Sequence, residues 1–277
     1  MSIFRTPYPK DGYEPAWFTP TSRVNFCEED YLVTPYIAEF VNTITNTSYV
    51  IYAYYGIRRL RGNPNAALLS LPYIGLAAVG ILSAAFHATL TYAGQMSDDI
   101  SMIFATAFVL HRAYSFGRPA AWTRGFGLAL AAGFAVFAAY HCWTDELLVH
   151  FLLFAGMTLA VGRKTRALIR ARVGAEGGKR RLSALARVGA LCAVVGYALW
   201  NVDRHLCGRL IEVRRAVGQP WGYLLELHGW WHVLTAIGAY VFMALVEFLT
   251  TEEGERENAF AWPVDAYLGP TEQLKRK

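Results

Sequence analysis

Seven stretches of roughly twenty residues, each nearly free of charge, follow one another through this chain: 35–57, 67–89, 95–115, 122–141, 146–162, 185–206 and 225–249. About 20 apolar residues in a helix cover the ~30 Å hydrocarbon core of a bilayer. Backbone groups in that core must satisfy one another, so each stretch is expected to be helical. The pattern predicts an all-α, polytopic membrane protein with seven transmembrane helices, the fifth being the shortest. Composition agrees, since only 17% of the 277 residues are charged, against about 25% in an ordinary soluble domain.

Loop charges set the orientation. Arg58, Arg59 and Arg61 follow the first span; Arg118 and Arg124 follow the third, with Arg112 just inside it. The segment 163–187 carries Arg163, Lys164, Arg166, Arg170, Arg172, Lys179, Arg180, Arg181 and Arg187 against a single Glu176. Residues 90–94 carry no charge, and the turn after the fourth span holds Asp145 and Glu146. The arginines after the sixth span run against the trend, but the majority puts the N-terminus in a lumen or outside and the C-terminus in the cytosol. The net charge of +5 therefore reflects topology, and nucleic acid is excluded as a partner. No apolar h-region opens the chain, so the first span itself is expected to target it. Three parts result: a lumenal segment 1–34, a helical domain 35–249 and a charged tail 250–277 with Pro263 and Pro270, expected to be mobile.

Ionisable groups inside such spans are functional candidates. His228 and His232 lie four apart, on one face of the seventh span, and His87 closes the second. The topology puts them at one depth near the lumenal leaflet, with Asp98 and Asp99 opening the third span and Ser83 one turn before His87. Three imidazoles with an open fourth position make a hydrolytic zinc site. A carboxylate beside it moves protons, and a hydroxyl can donate to a carbonyl oxygen gaining charge. Asp98 is preferred for the proton, with Asp99 about 100° away around the helix as the competitor. His111, His141, His150 and His205 read as interfacial polar residues without a partner at metal-ligand spacing. Cys142 and Cys192 read as small apolar residues.

These residues carry a resemblance. The segments NFCEEDYLVTPYIAEFVNT (25–43), SAAFHATL (83–90), QMSDDISMI (95–103), WNVDRHLC (200–207) and LHGWWH (227–232) resemble the alkaline ceramidases. They lie in a wider group of seven-span hydrolases that includes adiponectin-receptor-like proteins. The resemblance implies a zinc amidase cleaving ceramide, dihydroceramide or phytoceramide to a sphingoid base and a fatty acid. It implies His87, His228 and His232 as ligands, with Ser83 and Asp98 in catalysis. It also implies a calcium site at Asn25, Phe26 (backbone carbonyl), Glu28, Asp30 and Glu39, a set of hard oxygen donors unlike an EF-hand. Spacing alone reads that cluster as an acidic patch with Glu39 a buried polar partner. Here Asn25 stands where the family often has Asp, and Asp30 where it often has Asn, so total charge is kept. The resemblance also suggests a Cys27–Cys207 disulfide, which an oxidising lumen permits, and residence in the endoplasmic reticulum or Golgi.

Two other classes compete: another zinc lipid amidase or esterase of the same group, and a seven-span receptor or metal transporter. The seventh span has no lysine for a retinal Schiff base, and the histidines gather at one level instead of lining a path.

Overall fold

The computed structural model describes residues 6–251. Most of the tail 250–277 lies outside them. The order is α1 (Phe40–Thr45), α2 (Thr47–Arg59), α3 (Ala66–Thr89), α4 (Tyr92–Ser115), α5 (Ala120–Thr144), α6 (Leu147–Arg172), α7 (Glu176–His205), α8 (Cys207–Val217), a 3₁₀ turn at Trp221–Leu225 and α9 (Leu227–Thr250). No strand appears among the described residues, only isolated bridges. Helices α3, α5, α6, α7 and α9 are long and apolar enough to cross a membrane. Their outer faces agree: Leu128 and Val136 on α5 are 73% and 72% exposed, as lipid-facing side chains are. This is an integral membrane protein.

The remaining two expected spans are present as helices of different character. Asp98 and Asp99, with Gln95 and Ser97 nearby, make α4 more polar along its first turns. The stretch 35–57 divides into α1 and α2 at Asn46, which keeps helical dihedrals (φ −63°, ψ −19°). Beyond it the ladder tightens, with Tyr49 N–H donating to Asn46 O at 3.2 Å. Asn46 Nδ2 donates to Asn42 O at 2.9 Å, so a polar side chain competes for the ladder there. The short fifth span proves longer than its apolar core. α6 runs on through Arg163, Arg166 and Arg170 to Arg172, and α7 already starts at Glu176. Arginine is a good helix former and can snorkel, so the charges leave the helix intact where the apolar run ends.

α9 is the axis of the bundle: Ala236, Tyr240, Val241, Ala244, Leu245 and Leu249 have no exposure at all. α7 packs closest to it because small residues face each other. A Cβ on Gly238 would sit 2.9 Å from Gly189 O, and one on Gly189 2.9 Å from Val241 Cγ1. A turn of two residues joins α3 to α4. Leu90 takes the left-handed conformation (φ 48°), and the Thr91 side chain caps α4 by accepting from Gly94 N at 3.2 Å. That turn puts the last turn of α3 beside the first turns of α4. The N-terminal arm lies across this end: Thr21 and Ser22 N–H both donate to Leu90 O at 2.9 Å.

Candidate active site

The last turn of α3 and the first turns of α9 bring His87, His228 and His232 together. One nitrogen from each lies within 4.8 Å of the others. All three rings are buried, with exposures of 0%, 3% and 3%. Among the described residues, His87 Nε2 and His228 Nδ1 are buried with no hydrogen-bond partner. Orphaned polar atoms of this kind are costly unless something binds them. The neighbours set the chemistry of each ring. Glu39, at the N-terminus of α1, accepts from His87 Nδ1, so His87 Nε2 presents a lone pair. Phe26 lies against His228, ring centroids 3.7 Å apart. Neutral nitrogens converging from three buried rings are a donor set that fits zinc.

Ser83, one turn before His87, lies close to the Asp98 carboxylate. Asp98 keeps partial exposure, whereas Ser83 is buried. Asp99 turns elsewhere. Its Oδ2 accepts from His141 Nε2 at 3.0 Å, and its carbonyl meets His150 Nε2 at 3.0 Å. The two rings lie 5.4 Å apart. His141 and His150, read from sequence as interfacial, therefore have a shared partner. The consecutive aspartates face different neighbours of α4.

The acidic segment folds onto α1. Glu28 caps that helix, its Oε1 accepting from Val41 N at 2.6 Å and its Oε2 from Asn42 N at 2.8 Å. Asn25 Nδ2 donates to Asp30 Oδ2 at 2.9 Å, and Phe26 N–H donates to Glu39 Oε1 at 3.1 Å. Asp30 Oδ1 is buried with no partner among the described residues. Burial pushes Glu28 up to about 8, against the pull of the two backbone N–H groups. Burial and then the neighbouring Glu39 push Asp30 up to about 6. The three carboxylates are hard oxygen donors of the kind calcium takes, but among the described residues their oxygens do not converge as the histidine nitrogens do.

Cys27 and Cys207 are joined by a disulfide with Cα atoms 5.2 Å apart. Around it lies a group that sequence reasoning missed. Asp203, 1% exposed near the end of α7, accepts from Cys27 N at 3.2 Å and from His228 N at 3.3 Å. Arg214 of α8, fully buried, donates to Cys27 O at 2.5 Å and pairs with Glu226, just before α9. Asp203 could have been found as a carboxylate inside an apolar stretch at the histidines' depth. Arg214 gave no such signal, because α8 reads as an ordinary charged loop.

Fold and site together define an all-helical integral membrane protein with a buried histidine–carboxylate centre. A sequence model of the ceramidase family matches residues 18–272, and the chain belongs to that family of enzymes. It is 31% identical to alkaline ceramidase YPC1 of Saccharomyces cerevisiae over 266 residues, covering 90% of this chain and 83% of the relative. Alkaline ceramidase 3 of Mus musculus is 26% identical over 234 residues, 84% of each chain. Alkaline ceramidase 1 of Homo sapiens is 24% identical over 258 residues, 89% of this chain and 91% of the relative.

Proposed function

We propose that this protein hydrolyses the amide bond of a ceramide within the membrane, giving a sphingoid base and a free fatty acid, at a zinc ion held by His87, His228 and His232. Kinship with the alkaline ceramidases supports the reaction class. The observation that carries the metal is the buried trio with two orphaned nitrogens; Ser83 lies one turn before His87, and Asp98 is close to Ser83. When bound, Zn²⁺ supplies Lewis acidity and lowers the pKa of water toward ~7. Asp98 accepts a proton from the attacking water as the new C–O bond forms. It returns that proton to the amide nitrogen as the C–N bond breaks. Ser83, within reach of the same acid, donates to the carbonyl oxygen as negative charge gathers there. Asp99, engaged with His141, is left out of this step.

Further parts of the reading have separate support. α1/α2 and α4 complete seven spans, and the arginine-rich ends of α6 and α7 favour a cytosolic position for that side. The N-terminus is then lumenal and the tail cytosolic. A disulfide at Cys27–Cys207 suits an oxidising lumen such as that of the endoplasmic reticulum or Golgi. A calcium ion bound by Asn25, the Phe26 carbonyl, Glu28, Asp30 and Glu39 would offset the crowded carboxylates and brace α1 against the site. A ceramide suits a site at the lumenal level, because its amide sits near the headgroups while both chains stay in the bilayer. Extracting it into water would cost about 0.8 kcal/mol per exposed CH₂.

The test is turnover of a defined ceramide panel by the purified protein beside Asp98→Ala. The variant is expected to keep its zinc and to turn over at least ~10²-fold more slowly. Full activity in Asp98→Ala would remove it from the chemistry.

A further inference from the structure

We infer that Thr45 is a positioning residue for His232: its hydroxyl fixes the ring's tautomer and aims Nε2 at the metal. This rests on the zinc reading above. Thr45 Oγ1 lies 3.0 Å from His232 Nδ1, near the C-terminal end of α1. A threonine hydroxyl has one proton and two lone pairs. That proton is already directed into the helix, since Oγ1 lies 2.8 Å from Val41 O and 3.1 Å from Asn42 O. What faces His232 is therefore a lone pair, which calls for a hydrogen on Nδ1, and the Asn42 backbone is a second partner of that ring. Nε2 is then the bare nitrogen, the form a metal ligand requires. Glu39 imposes the same polarity on His87 from the other end of the helix.

The contact exists because Gly229 lets α1 lie against α9. A Cβ at Gly229 would come 3.2 Å from both Thr45 Cγ2 and Val41 Cγ1. A Cβ at 229 would make these two side chains, Thr45 among them, give by a few tenths of an ångström. The glycine thus sits one residue after one proposed ligand and three before the other, where close approach is needed.

The experiment compares zinc affinity, by chelator competition at fixed pH, in the full-length protein and in Thr45→Val, Thr45→Ser and His232→Ala. The melting temperature of each zinc-free protein is recorded alongside. Thr45→Val is expected to bind zinc about 10–100-fold more weakly at unchanged melting temperature, with Thr45→Ser within about threefold of the unaltered protein. Thr45→Ala, which removes the hydroxyl without adding bulk, must repeat the loss if the valine variant folds poorly. Unchanged affinity in Thr45→Val or Thr45→Ala, with one zinc held by the unaltered protein, overturns the role of Thr45 alone. No zinc in the unaltered protein, or unchanged binding in His232→Ala, overturns the metal assignment and this inference with it.

Discussion

At the scale of single residues, α4 shows how neighbouring identical side chains acquire different work. Asp98 points to Ser83 on α3, and Asp99 to His141 on α5. The difference is the helix's 100° step per residue, which sends consecutive side chains to different neighbours. Asp99→Asn is therefore expected to keep turnover within about tenfold, whereas Asp98→Asn should lose ~10²–10⁴-fold in kcat. Steady-state rates on one ceramide decide it, and equal losses in the two variants would contradict the division of roles. The histidine trio was legible from sequence because imidazole is conspicuous in apolar helices. The choice between the aspartates, and the pairing of His141 and His150 with Asp99, depended on which helix stands on which side of α4. Nothing in the spacing of a single chain encodes that.

At the scale of elements, helix contacts here depend on small residues more than on large ones. Gly238 and Gly189 allow α7 and α9 to meet at backbone distance. Gly238→Val should force them apart, at a cost of about 1–3 kcal/mol typical of overpacking, and lower the melting temperature in detergent. An unchanged melting temperature would show that α7 can slide without loss. The disulfide acts between elements as well, holding the arm to the start of α8. Cys207→Ser is expected to destabilise by about 2–5 kcal/mol, and thermal unfolding with and without reductant measures it. Existence and order of the long helices could be read from the apolar runs. Their ends could not: arginines that close an apolar run do not end a helix, so α6 and α7 extend past their apolar stretches. The break at Asn46 escaped because a polar residue in a span is equally compatible with an unbroken helix.

At the scale of the whole molecule, the groups proposed for chemistry gather at one end, and the exposed arginines of α6 lie toward the other. The histidines, the acidic segment and the disulfide gather at the end closed by the α3–α4 turn. The exposed Arg163, Arg166 and Arg170 lie toward the opposite end of their helix. An N-terminal glycosylation tag is expected to be modified and a C-terminal one not. The reverse pattern would invert the topology. Calcium chelation with zinc retained is expected to lower both activity and melting temperature, since Glu28 and Glu39 flank the helix that carries Thr45 to His232. Unchanged values would remove the calcium role. The central claim is a zinc ion on three buried imidazoles, and elemental analysis of purified, ceramide-hydrolysing protein tests it most directly. One zinc per chain is expected, lost together with activity in His228→Ala; an active preparation free of zinc would rule the metal out.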